Sequence, residues 1–249
     1  NRGFTSPDYP EQLGYSYYQA SLVCDFIAAE HGLDALRALL QQFRQGRSTA
    51  QAFQSVLGSE LDAFDGWFDA YLRRRFATPL AALRPLPEAD ARAHPGLEEL
   101  VRRARRAPDD FHVQFLAGQA AFAGKQLDAA EAFLVRAKQL FPEYAGVDSP
   151  SWYLAQIYRQ RGARAQAVAE LEALTAINAG HYPALLALAA LRDSLGQKAQ
   201  AARALEAALY VYPFEIPVHR RLAELAAELG WWPLGVRERR AVLALAPVD

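Results

Sequence analysis

One spacing constrains this chain more than any other feature. Gly162, Gly196 and Gly230 stand 34 residues apart, and so do Ala155, Ala189 and Ala223, Leu154, Leu188 and Leu222, and Ala167, Ala201 and Gly235. Pro213 and Pro247 close two of these units, and an earlier unit (about 111–144) carries Gly118, Leu127, Ala130, Ala137 and Pro142 at matching offsets. The residue types explain the period. A small residue in a first helix (Gly118, Ala155, Ala189, Ala223) lets a second helix approach closely. Glycine permits the turn between them. A second small residue (Ala130, Ala167, Ala201, Gly235) marks the crossing, and proline stops the second helix. One such pair cannot bury its apolar face, so the units must stack. The expected class is all-α, a helix-turn-helix solenoid.

The pattern resembles the tetratricopeptide repeat over about 111–247. The resemblance implies units at about 111–144, 148–181, 182–215 and 216–249, wound as a superhelix, with a degenerate half unit at 94–108. The usual first-helix tryptophan is absent, and Trp152 stands one position late. The first two units are 37 residues apart, with Tyr144-Ala145-Gly146-Val147-Asp148-Ser149-Pro150 as the expected extra loop.

Upstream, Pro79, Pro85 and Pro87 fall within nine residues and argue against a continuous helix. Residues 77–93 therefore read as a Pro-rich linker between two domains. Residues 1–76 form a small helical subdomain without the repeat. Tyr18, Leu22, Val23, Phe26 and Ile27 make one apolar stripe. Leu36, Leu39, Leu40 and Phe43 make the next, and Phe53, Val56 and Leu57 a third. Turns are expected at Gly32, Gly46 and Gly58. Ser48 with Gln51 reads as a capping box, and Ser59 with Asp62 as another helix start.

Composition narrows the chemistry. With 52% hydrophobic and 22% charged residues, the chain can bury a core. A net charge of −1 gives no electrostatic reason to expect nucleic acid or anionic lipid. The Arg73–Arg75 run and Arg102, Arg103, Arg105 and Arg106 read as solvated helix faces. No apolar run approaches the roughly 20 residues that span a bilayer. Cys24, the single cysteine, excludes an intrachain disulfide, and its neighbours Val23, Phe26 and Ile27 predict a buried thiol. The chain starts at Asn1, has no methionine and is rich in Ala, Leu and Arg. We read it as the C-terminal part of a larger bacterial protein, cytoplasmic or periplasmic.

Residues 15–76 resemble the C-terminal helical part of gluzincin (peptidase MA-like) zinc metallopeptidases. The likeness is carried by the Tyr-rich start, "EHGLDALRALL", "GRSTAQAFQSVLG" and the acidic helix with Trp67. It implies a parent protein in which zinc is held by an upstream domain. The His-Glu-x-x-His of that class, which sets two imidazoles one helical turn apart, is not in this sequence. The histidines are His31, His94, His112, His181 and His219, with no two closer than 18 residues. Glu30-His31 reads as a helix end, where a histidine is favoured by the dipole. Tyr17 or Tyr18 matches the oxyanion-stabilising tyrosine that the resemblance implies; read from the residues alone, both are packing tyrosines. The chain contains no phosphate loop and no nucleophile elbow. No catalytic residue, metal ligand or cofactor is assigned to it.

In stacked repeats the first helices line a concave surface. The register places His112, Phe115, Gln119 and Phe122 there from the first unit, and Trp152, Gln156 and Arg159 from the second. Leu186, Ala190 and Asp193 follow from the third, and Arg220 and Glu224 from the fourth. Aromatics mixed with polar groups suit an extended peptide or a partner helix. Trp231 and Trp232, in the last turn, are placed to cap the stack or dock a surface. The expected function is a protein–protein interaction scaffold. The alternative is the non-catalytic C-terminal portion of a zinc metallopeptidase. The oligomeric state is not set by these features.

Overall fold

The computed structural model describes residues 2–83 and 96–246. Every regular element among them is helical. The chain divides into two compact units, Asn1–Ala77 and Thr78–Asp249. Pro85, Pro87, His94 and Pro247 lie outside the described residues.

In the first unit, a short turn α1 (Arg2–Thr5) precedes α2 (Glu11–His31), α3 (Leu33–Arg44), α4 (Thr49–Leu57) and α5 (Leu61–Arg75). Gly32, Gly46 and Gly58 take positive φ at the three turns. The Ser48–Gln51 capping box is complete. Ser48 Oγ accepts from the Gln51 amide at 3.3 Å, and Gln51 Oε1 accepts from the Ser48 amide at 3.1 Å. The second expected cap is not made. Glu60, in extended conformation, is the N-cap of α5, and the Ser59 hydroxyl donates instead to the Glu60 carbonyl.

The core of this unit is Leu22, Phe26, Ile27, Leu39, Phe53, Phe64 and Phe68. Phe64 is its centre, with Phe53 at 4.8 Å and Phe26 at 5.4 Å, both edge-on. Two expected stripes are narrower than their sequences suggested. Tyr18, Leu40 and Phe43 are exposed. Cys24 is exposed as well, against the expected buried thiol. At about 100° per residue, position 24 lies on the far side of the arc that carries Leu22, Phe26 and Ile27. Apolar neighbours in sequence do not bury a residue on the other helix face.

The start of the expected linker is helical. Residues Ala77–Ala82 form a helix, α6, with Pro79 in its first turn. A proline there removes an amide that has no intrahelical acceptor to lose.

In the second unit, α7 (Leu97–Arg106) packs on α8 (Phe111–Ala123) as the half unit. Four helical hairpins follow in chain order. They are α8 with α9 (Leu127–Leu140), α10 (Pro150–Gln160) with α11 (Arg164–Ile177), α12 (Tyr182–Ser194) with α13 (Lys198–Val211), and α14 (Ile216–Glu228) with α15 (Trp232–Leu245). Each hairpin packs on the next through its second helix and the following first helix. The main core runs along the stack through Leu134, Leu154, Ile157, Leu171, Leu174, Leu222 and Leu225.

The turns inside the hairpins share one geometry. Gly162, Gly196 and Gly230 sit at φ 71–73°. In the second unit the Gly162 amide donates to Arg159 O at 3.1 Å and the Ala163 amide to Tyr158 O at 2.8 Å. This is a Schellman closure. The first unit makes the same bonds around Lys125, at φ 59°, because its glycine, Gly124, stands one residue early. The Cβ of Gly196→Ala would meet nothing within 4 Å, so its cost is backbone strain alone, about 1 kcal/mol. Lys125→Gly should stabilise by a similar amount. Urea unfolding of the two variants should give midpoint shifts of opposite sign.

First-helix starts are capped by three different side chains. Asp110 accepts from the Val113 amide at 3.1 Å, Ser149 from that of Trp152 at 3.3 Å, and His181 Nδ1 from that of Ala184 at 3.1 Å. His181 is buried and its Nε2 donates to Val147 O at 3.2 Å. Asn178 Nδ2 donates to Ala145 O at 2.7 Å. The end of the second unit thus holds the extra loop, which runs between α9 and α10.

Candidate protein-interaction face

The residues expected on the concave face are not equally available. Phe115 is buried, stacked on Phe111 at 5.5 Å and edge-on to Tyr144 at 5.7 Å and Tyr153 at 6.2 Å. It joins repeats and presents no surface, which corrects its place among the ligand-facing residues. His112 is half-buried beside the Phe111 ring. Phe122 is half-buried, with Tyr153 edge-on at 5.2 Å. Gln119 Nε2 donates to Asp148 Oδ2 at 3.3 Å. Trp152, half-buried, lies 5.3 Å from the His181 ring. Gln156 Oε1 accepts from Arg159 Nη1 at 3.1 Å, while its shielded amide nitrogen has no partner. Leu186 is half-buried and Ala190 exposed.

A single register contact recurs along the face. Phe122, Arg159 and Asp193 occupy one position of successive first helices, and Tyr153, Ala187 and Arg221 occupy the position that abuts it from the next unit. The first pair is aromatic. The last is ionic, with Arg221 Nη2 2.5 Å and Nε 3.1 Å from Asp193 Oδ2. Arg221 also donates to Glu224 Oε2 at 2.6 Å. These bonds hold the Arg221 guanidinium above its ordinary range, Glu224 first and Asp193 second. In the middle unit the residue in register with Arg159's partner position is Ala187, which offers no acceptor, and Arg159 meets no carboxylate among the described residues. Arg159, Arg220 and Glu224 are exposed.

Tyr153, Asp148 and Arg221 were not among the expected groove residues. Their signal was available in the period, because Tyr153, Ala187 and Arg221 also repeat every 34 residues.

Away from this face, Arg161 binds both Asp128 and Glu131 of the preceding unit. Glu131 accepts from the Tyr158 hydroxyl at 2.8 Å. The Arg161 bond, then the Tyr158 bond, hold the Glu131 carboxyl below its ordinary range. Burial first, then Glu131, pushes the Tyr158 phenol up to about 12. These groups tie repeats together.

In the first unit, Glu30 lies 3.8 Å from Arg74 Nη2. Tyr17 and Tyr18 are exposed, and Tyr17 packs edge-on against Phe4 at 5.1 Å. No group of three or more His, Cys, Asp or Glu side chains among the described residues is placed to hold a metal. No described helix is long and apolar enough to cross a membrane.

Solved structures resemble about three fifths of the chain. MamA from AMB-1 superposes with a TM-score of 0.52 at 22% identity, covering 61% of this chain and 83% of that one. A further MamA structure gives 0.51 at 16%, covering 60% and 85%. YrrB, described as a TPR protein with an unusual peptide-binding site, gives 0.51 at 14%, covering 61% and 77%. The chain carries a tetratricopeptide-like helical repeat. No family model matches it, and no curated protein does. At these identities the likeness concerns the fold.

Proposed function

We propose that the second unit is a protein-interaction scaffold that binds an extended peptide or partner helix across its first helices. The observation that carries this reading is Arg159. It is an exposed cation without a carboxylate partner among the described residues, set between the Phe122–Tyr153 ring pair and the saturated Asp193–Arg221 pair. Trp152, about two turns back on the same helix, offers an apolar platform. A partner with an apolar or aromatic residue and an acidic residue a few positions away fits this set. YrrB, a fold neighbour, is itself described as peptide-binding, which supports the reading.

Peptides selected from a random display library against the intact chain test it. Phe122→Ala with Trp152→Ala should weaken the selected peptides at least about tenfold, the scale of a lost hot spot. Arg159→Glu should do so most for acidic ones. Undiminished affinity in both variants would remove the groove assignment.

The reading also divides the chain into a helical subdomain (1–76), a connecting segment (77–93) and the repeat array (94–249). A second reading makes the parent protein a zinc metallopeptidase, with the repeats recruiting substrates. It rests on the resemblance of residues 15–76. Its test is a His-Glu-x-x-His, followed by a glutamate, in the coding sequence upstream of Asn1. Tyr17→Phe and Tyr18→Phe in that longer protein would then report any oxyanion role.

A further inference from the structure

Each internal hairpin cradles the first helix of the next. In the third unit the matching positions are Leu186, Ala189, Leu205, Ala208 and Leu209, all buried or half-buried, and α13 packs on α14. Ala189 is 3% exposed, Leu205 6% and Ala208 0%. Thirty-four residues on, the same positions hold Arg220, Ala223, Arg239, Val242 and Leu243. There they line an open groove of about 390 Å3 between α14 and α15, with Glu224 at its side. Leu243 is 75% exposed. The same positions therefore line an open groove in the last described hairpin, and no described helix fills it.

Its chemistry differs from that of the third unit above all in charge. Two leucines, 186 and 205, have become two arginines, 220 and 239. Both are exposed, and neither has an ion-pair partner among the described residues. Glu224 is already engaged by Arg221. The floor stays apolar: Ala223, Val242 and Leu243.

We infer that this terminal cradle is a second docking site, for an acidic amphipathic helix supplied by a partner protein. The apolar stripe of that helix lies on Ala223, Val242 and Leu243, and its flanking carboxylates meet Arg220 and Arg239. The charges select the occupant. None of the chain's own first helices (α8, α10, α12, α14) is net acidic, so none would neutralise the two arginines. A second copy presenting the same face would bring Arg220 and Arg239 against their own kind, a like-charge arrangement that disfavours self-pairing. The site adjoins the groove proposed above, since Arg220 and Glu224 stand on the α14 face expected there, but Arg239, Val242 and Leu243 belong to α15 and take no part in it.

The probe is a labelled amphipathic peptide of about 18 residues, five turns. It carries leucines at i, i+4, i+7 and i+11 and glutamates on both flanks, and is titrated against the intact chain by fluorescence anisotropy. Saturable binding is expected, weakened at least about tenfold by Leu243→Asp and by Arg239→Glu. The same peptide with lysines for glutamates should bind at least about tenfold more weakly. Phe122→Ala with Trp152→Ala should leave the acidic peptide unaffected, so the two sites fail separately. Absence of saturable binding, or binding indifferent to the α15 substitutions, overturns the inference. So does a dimer of the chain in sedimentation that Leu243→Asp dissolves, since the occupant would then be a second copy.

Discussion

Replacing His219 by alanine is expected to destabilise the last hairpin by about 3 kcal/mol. His219 joins three segments. Its Nδ1 lies 2.5 Å from Glu238 Oε2, and its Nε2 donates to Pro213 O at 2.9 Å. Glu238 is 2% exposed, and its other oxygen accepts from Arg237 Nε at 2.6 Å. Arg237 in turn donates to Glu206 on α13 at 2.7 Å. Removing the ring leaves a carboxylate oxygen buried without a donor and a backbone carbonyl without its partner. Because repeats couple mainly to their neighbours, the loss should be local. Amide exchange should accelerate in α14 and α15 and change little in α8–α11. The pair as a whole should matter far less than its disruption. His219→Phe with Glu238→Leu should recover most of the stability, since Arg237 is exposed enough to be solvated. Equal destabilisation by the single and double variants would refute this account.

Gly118→Val is expected to be comparably severe at the other end of the array. An added Cβ at Gly118 would stand 2.7 Å from Leu134 Cγ and 2.8 Å from its Cδ2, with the Leu134 backbone nitrogen at 3.3 Å. Leu134 is fully buried and has no room to withdraw. Overpacking of this kind costs about 1–3 kcal/mol, and the branch of valine adds to it. Leu134→Ala alone should also cost about 3 kcal/mol by leaving a cavity. Combined, the two should be less damaging than their sum, since each relieves the other's defect. Strict additivity in denaturant unfolding would show that α8 and α9 adjust independently at this crossing.

Not every alanine position of the pattern tolerates the same side chain. Ala155, Ala189 and Ala223 stand where Gly118 does, yet only the first hairpin closes so tightly that a methyl group would clash. The period identified a small residue. How small depends on the distance between two particular helices. Lys125 shows the reverse case. The turn needed a left-handed residue, and the chain supplied a lysine because its glycine is one residue early. The Schellman bonds form around it regardless, since their energy exceeds the strain of one non-glycine φ.

The helical subdomain was legible in its turns and less so in its faces. Gly32, Gly46, Gly58 and the Ser48–Gln51 box are local devices, fixed by backbone chemistry within a few residues. Cys24, Leu40 and Phe43 needed the packing partner, because a helix has several apolar directions and only the neighbouring helices choose one.

The candidate binding face divides in the same way. Its position on the first helices, and the residues that could stand there, follow from the 34-residue register. Which of them remain available does not. Phe115 is consumed by Tyr144 and Tyr153. Asp193 is saturated by Arg221. Arg159 is left over because its neighbour in the next unit is Ala187. The sequence alone determined the helical class, the repeat and its turn glycines, because each depends on contacts between residues close in the chain. Only the tertiary structure decided which side chains are spent holding repeats together and which are left for a partner. Those pairings join residues some 30 positions apart, and their outcome rests on distances that no local pattern encodes.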